Sequence, residues 1–213
     1  MSNSAIVELR LVDHQAAGPP RPDDMAKVAA PLTSTLTAEL DGAQCYLDVP
    51  ADTILLAAIS RTIARTIGDT DLAVDVDAGG ECTVVVACMS ARNASATEVL
   101  RAVHRSLAAA HHHTAAPPVP SSDVFFSYRP TVPGPASHDV LPAHELLPSS
   151  GHALEVRVYR TADGVVQMDW WYDTRRLDRY TVEEMTEQFP LALIDLTSDG
   201  VPPIREPVNF AMA

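Results

Sequence analysis

Two adjoining segments constrain the fold more than any others. DTILLAAISRTIARTIG (Asp52–Gly68) repeats apolar residues at helical spacing, with Ile54, Leu55, Ala58, Ile59, Ile63 and Ile67 on one stripe. Asp52 is the predicted N-cap and Gly68 the stop. DLAVDVD (Asp71–Asp77) follows, alternating Leu72, Val74 and Val76 with aspartates, the pattern of a strand buried on one face. A one-faced helix followed by a one-faced strand must layer helix on sheet. Leu55, Ile59 and Ile63 are therefore expected in one core with Val74 and Val76.

The rest of the chain extends this pattern. IVELRLVD (Ile6–Asp13) alternates like a strand, and QAAGPPRPDD (Gln15–Asp24) reads as a loop. Ser95–Ala110 is a second predicted helix, with Ser95 and Glu98 at capping-box spacing and Val99, Val103 and Leu107 on one side. A proline-rich stretch, Ala115–Ser150, is broken by the short apolar strand SDVFFSY (Ser122–Tyr128). ALEVRVY and VVQMDWWY alternate around Asp163-Gly164 and predict a hairpin. Thr181–Leu196 closes the chain as a helix, with a capping box at Thr181 and Glu184 and a kink at Pro190. Interleaved helices and strands ending in a hairpin give an α/β layered fold with a mixed sheet.

Charge and cysteine usage narrow the function. The net charge of −13 repels phosphate backbones and argues against nucleic-acid binding. No apolar run approaches the roughly 18 residues needed to span a bilayer, and the N-terminus does not read as a secretory signal. A cytoplasmic location is the default expectation. Cys45, Cys82 and Cys88 form no C-x-x-C pair and are expected as reduced thiols. In a strand, Cys82 and Cys88 share a face. No dinucleotide fingerprint, P-loop, zinc-protease helix or nucleophile elbow is present, and no cofactor is implied.

Five segments, in order, resemble the second lobe of condensation and epimerization domains of nonribosomal peptide synthetases. They are the helix and strand from Ala51 to Glu81, the helix SATEVLRAVHRSLAA, the strand SSDVFFSYRP, the closing hairpin with its Tyr172-Asp173, and the Thr181-Val182-Glu183 helix. The resemblance covers roughly Leu32 to Ser198. It divides the chain into an N-terminal strand and proline-rich loop (1–31), a condensation-type C-terminal lobe (32–198) and a tail (199–213). It implies a single chloramphenicol-acetyltransferase-like lobe, with a mixed sheet and helices packed mainly on one face.

The resemblance also says where chemistry would sit. The family's His-His-x-x-x-Asp-Gly motif belongs to the other lobe. In His111-His112-His113, the Asp and Gly positions counted from His112 are Pro117 and Pro118. A proline pair supplies no carboxylate to hold a histidine toward a reacting bond. These histidines read instead as a solvated helix end, or as an adventitious metal binder, and no designed metal site is expected. The epimerization-type Glu-Gly-His-Gly-Arg-Glu stretch falls on Asp77–Cys82. Asp77 stands for the first Glu, while Gly79 and Glu81 replace His and Arg. Asp77 is thus the one catalytic candidate, against a plain strand end. The family's Phe-Asn-Tyr stretch falls on Phe126-Ser127-Tyr128, making Ser127 and Tyr128 candidates for a cleft or contact surface. Trp170 and Trp171 are consecutive on a strand and point to opposite faces. One is expected in the core and the other either exposed as contact surface or covered by a helix.

Three functions follow as expectations. The first is a noncatalytic half protein acting as a binding or assembly module, pairing with itself as a homodimer or with a first-lobe or synthetase protein, with a phosphopantetheinyl carrier protein as a further partner. The second is half of a split condensation, epimerization or acyltransferase enzyme whose histidine motif comes in trans. The third is a small-molecule binding domain of similar topology. If the three histidines are solvated, replacing all of them with alanine changes stability by less than about 1 kcal/mol. Urea denaturation with a zinc titration checks this: a larger loss, or stoichiometric zinc binding that disappears, refutes it.

Overall fold

The structure, a computed structural model, describes residues 11–77, 81–110, 122–130, 151–202 and 204. Six strands and four α-helices follow in the order β1 (Met25–Ala29), α1 (Ser34–Leu47), α2 (Ala51–Thr66), β2 (Thr70–Asp77), β3 (Glu81–Cys88), α3 (Ala96–Ala110), β4 (Val124–Arg129), β5 (Leu154–Arg160), β6 (Val166–Asp173) and α4 (Arg179–Asp199). The strands form one sheet in the order β1-β6-β5-β4-β2-β3. β2, β4 and β5 run parallel to one another, and the remaining pairs are antiparallel. The sheet is mixed, as expected.

Register sorts the side chains. Val74 pairs with Val124, Val124 with Leu154, and Leu154 with Tyr172, so even-numbered residues of β2, β4, β5 and β6 share one face. Val84, Val86 and Cys88 of β3 join them. These residues are buried in one core with the apolar sides of all four helices, including Leu55, Ile59 and Ile63 beside Val74 and Val76. Cys82 packs against the same core, so Cys82 and Cys88 share a face, and burial pushes the Cys88 thiol up to about 12. Cys45 is exposed, and the described cysteines are all free thiols.

The sequence predicts a single apolar stripe on α2, yet 13 of its residues are buried. The helix packs against the sheet and against each of the other three helices, so its polar side is covered as well. Arg61 sits on that side, 1% exposed. It donates to the carbonyls of Met89 (2.5 Å) and Ala94 (2.9 Å) and lies 3.3 Å from the Asp195 carboxylate of α4. Arg65 approaches the same carboxylate at 3.6 Å.

Helix ends differ from expectation in two places. Pro50 rather than Asp52 is the N-cap of α2, its fixed φ turning the chain directly into the helix, while Asp52 accepts from the Thr53 amide at 2.6 Å. α4 begins at Arg179 with Asp178 as N-cap, so Thr181 and Glu184 form no capping box. The start is drawn forward because the Asp178 amide donates to Asp13 at 2.8 Å, anchoring it to the N-terminal segment. α4 runs on through Pro190. The Ser95–Glu98 capping box is present, with the Ser95 amide at 2.8 Å from Glu98 and the Glu98 amide at 3.3 Å from the Ser95 hydroxyl. Gly164 takes φ 84° at the β5–β6 turn, a conformation open to glycine.

The N-terminal segment is also rearranged. Leu11–Asp13 is not a strand. Leu11 enters the core and the amides of Asp13 and His14 donate to the Arg176 carbonyl, so this stretch is an anchor. The remainder of the expected strand lies outside the described residues, as do His111, His112 and His113. The strand from this end of the chain is β1, which pairs with β6. α1 is the helix the sequence pattern did not reveal, capped by the Thr33 hydroxyl, which accepts from Leu36 at 3.2 Å.

Replacing Arg61 with leucine leaves two loop carbonyls without their donor, and each unsatisfied acceptor costs about 1–3 kcal/mol. Urea denaturation of Arg61→Leu is expected to show a loss of at least this size, and Asp195→Asn, which takes the anion from a guanidinium that is 1% exposed, is expected to destabilise as well.

Candidate functional site

The helices leave one sheet face to the odd-numbered residues. Across it run Lys27 (β1), Asp169 and Trp171 (β6), Glu155, Arg157 and Tyr159 (β5), Phe125, Ser127 and Arg129 (β4), and Asp75 and Asp77 (β2). Strand alternation predicts a solvated face here. Asp75, Ser127, Glu155, Asp169 and Trp171 are instead buried, together with His152 just before β5.

Charges buried this deeply must be paired. His152 Nε2 lies 2.9 Å from Asp75 Oδ2, and its Nδ1 lies 3.6 Å from Glu155 Oε1. The other Glu155 oxygen accepts from Arg157 at 2.9 Å, and the other Asp75 oxygen from Thr83 at 2.5 Å. The His152 ring also sits on Phe125, centroid to centroid 5.3 Å. Burial alone depresses the His152 pKa, but hydrogen bonds to Asp75 and Glu155 outweigh it and lift it to about 8. At neutral pH the ring is an imidazolium with a carboxylate on each side. It is a clamp between β2 and β5 across β4, and a poor general base, because each ring nitrogen already faces a carboxylate.

A second cluster surrounds Asp169. Its oxygens accept from Gln167 (3.0 Å), Tyr159 (3.2 Å) and Lys27 (3.3 Å). The Lys27 ammonium also lies 5.1 Å from the Trp171 ring centroid, a cation–π contact. Asp173 is held by Arg175 through Nε at 2.9 Å and Nη2 at 2.8 Å. Burial would raise its carboxyl, but these hydrogen bonds hold it below its ordinary value.

The sequence-derived candidates divide between the two faces. Asp77 ends β2, opposite Ser127 in register, with its carboxylate 3.3 Å from Arg129. Ser127 is buried on the polar face and Tyr128 is half-buried against the core on the other. Trp170 is fully buried, edge-on to Phe189 of α4 at 6.1 Å. Neither tryptophan is exposed: Trp171 is 8% exposed on the polar face, with Lys27 over its ring and, among the described residues, no helix on that side, so neither contact surface nor helix cover describes it. Ala78, Gly79 and Gly80, beside Asp77, lie outside the described residues. Among the described residues no group of His, Cys, Asp and Glu is arranged to hold a metal ion. The Asp75–His152–Glu155 trio does not converge on a point, since its carboxylates take opposite nitrogens of one ring.

Sequence reasoning missed Asp75, His152, Glu155, Asp169 and Lys27. A signal was present: the outward positions of the alternating strands carry charges of both signs. Their partners become visible only once β4 is known to lie between β2 and β5.

The mixed sheet with helices on one face has counterparts among solved structures. The epimerization domain from the third module of tyrocidine synthetase B superposes with a TM-score of 0.68 at 11% identity, over 92% of this chain and 53% of that one. The condensation domain of the Monacolin K polyketide synthase MokA matches with the same TM-score and identity, over 96% of this chain and 56% of that one. The fold is that of one lobe of a condensation/epimerization-type domain. No family model matches the sequence. One of the component chains of the phenolphthiocerol/phthiocerol polyketide synthase of Mycobacterium tuberculosis is 32% identical over 94% of this chain. The chain spans only 16% of that component's length and about half of the solved domains.

The clamp gives this lobe a signature in pH. A raised folded-state pKa contributes stability that is complete below the unfolded value near 6.5 and is lost as pH rises through about 8. The lift is worth about 2 kcal/mol. Thermal midpoints are expected to fall between pH 6.5 and about 9 in the native protein. They are expected to fall less in His152→Gln, which lacks the titrating ring. Equal slopes in the two proteins would show that the clamp is not ionised.

Proposed function

We propose that this lobe is a noncatalytic binding or assembly module of polyketide or nonribosomal peptide biosynthesis, working in the cytoplasm against a synthase chain. The observation that carries the reading is at Asp77. The one carboxylate in the position of an epimerization-type proton-transfer group is paired with Arg129, and Gly79 and Glu81 stand where that chemistry places His and Arg. The Asp77 side chain is also one methylene shorter than the Glu it replaces. His152 supplies no substitute base, since both its nitrogens face carboxylates. Likeness to part of a large polyketide synthase chain supports a setting inside an assembly line. Partners of this module are a first-lobe or synthase protein, and the phosphopantetheinyl carrier that presents its acyl chain. Among the described residues no helix is long and apolar enough to cross a membrane.

The test is direct. Purified protein is incubated with synthetic acyl- and aminoacyl-pantetheine thioesters, with amine or alcohol acceptors, and in deuterated water for α-proton exchange. No acyl transfer and no exchange above the uncatalysed rate are expected, and Asp77→Asn is expected to behave identically. Turnover that Asp77→Asn abolishes would overturn the reading and make the lobe an enzyme in its own right.

A further inference from the structure

The outward face of α4 is built differently from a solvated helix surface. Tyr180, Glu184, Glu187, Leu191, Ile194 and Ser198 step by four and three residues along the helix. This is the spacing of a coiled-coil seam. Seven large hydrophobic side chains are exposed among the described residues, and three of them lie on this seam: Tyr180 at 74%, Leu191 at 50% and Ile194 at 44%; a fourth, Val201 at 60%, follows just past the helix end. The opposite side of α4 carries Val182, Met185, Phe189, Leu193 and Leu196 into the core, so the seam is a second apolar stripe that the fold does not use. Val201 is held in place by its amide, which donates to the Thr97 hydroxyl at 2.9 Å.

The seam is apolar in its C-terminal half and acidic in its N-terminal half. Glu184 and Glu187 lie on it and Glu183 flanks it, with Arg179 already engaged by Glu183 at 2.7 Å. We infer that this seam docks a basic amphipathic helix of a partner chain, its apolar side on Leu191 and Ile194 and its lysines or arginines on Glu184 and Glu187. The inference rests on the reading of the lobe as an assembly module and names the chemistry of its partner.

Two observations select a helix over a second copy of the lobe. The exposed apolar side chains of the seam offer on the order of a few hundred Å², below the roughly 800 Å² per partner of a stable globular interface, but enough for the apolar face of one helix. Self-pairing also sets carboxylates badly. In a parallel pair Glu184 and Glu187 face their own copies, and in an antiparallel pair centred on Leu191 Glu187 faces Ile194, losing water without gaining a cation. Each copy brings a net charge of −13.

The experiment uses the full chain and two labelled synthetic helices of about three heptads, with leucine at the seam positions. One peptide carries lysine against Glu184 and Glu187, and the other carries glutamate there. By fluorescence anisotropy the lysine peptide is expected to bind, less tightly as salt rises, and the glutamate peptide is not. Ile194→Asp is expected to weaken binding at least tenfold, and the Glu184→Lys/Glu187→Lys double variant to reverse the preference toward the glutamate peptide. Circular dichroism confirms that these surface variants stay folded. Failure of the lysine peptide to bind, or binding indifferent to both variants, overturns the inference. So does self-association in sedimentation that Leu191→Asp abolishes, which would give the seam to a second copy. None of these outcomes touches the thioester assay, so the module reading stands or falls separately.

Discussion

The architecture depends on keeping one helix out of water on every side. α2 is buried so completely that the sheet alone cannot cover it, and α1, α3 and α4 are needed to close its far side. That demand places a charged residue where charge is costly. Arg61 meets it by reaching two loop carbonyls and an α4 carboxylate together. Burial pushes its pKa down, only partly offset by Asp195, yet a guanidinium stays charged at any physiological pH. The pin therefore joins α2, α4 and the β3–α3 loop under all ordinary conditions.

The other sheet face solves the same problem with pairs rather than a pin. Asp75, His152, Glu155 and Arg157 form one line of alternating charge, and Lys27, Asp169, Tyr159 and Gln167 form another cluster. Such networks hold strands in register but leave their members committed.

Much of this is legible in the amino-acid order alone. The α2 stripe, the β2 alternation, the Ser95–Glu98 box and the closing hairpin each carry a local signal, and the ordered segments point to a condensation-type lobe. What stays hidden there has physical causes. α1 exposes much of its surface and buries only Thr37, Leu40, Ala43 and Leu47. β1 is five residues long with a lysine at its centre, and its strand character comes from pairing with β6. The polar cluster is unreadable because Asp75 and His152 lie 77 residues apart, and nothing local tells an aspartate facing water from one facing an imidazolium. Trp171 misleads for a related reason: alternation tells which face a side chain occupies, but not whether that face is covered.

The sheet order has a consequence for how the chain is made. β2, β4 and β5 are neighbours in space, yet each joins the next only after a long intervening stretch, and β1 waits for β6. Lys27 reaches Asp169 across 142 residues of chain. Contacts of such separation form slowly, because the entropy of closing the loop is lost before any contact rewards it. Before β4 is made, only the β2–β3 hairpin and the early helices have their partners at hand. The sheet closes only once β6 has emerged. Until β4 follows, β2 is without the parallel neighbour that will cover its edge, and an open strand edge is free to pair elsewhere.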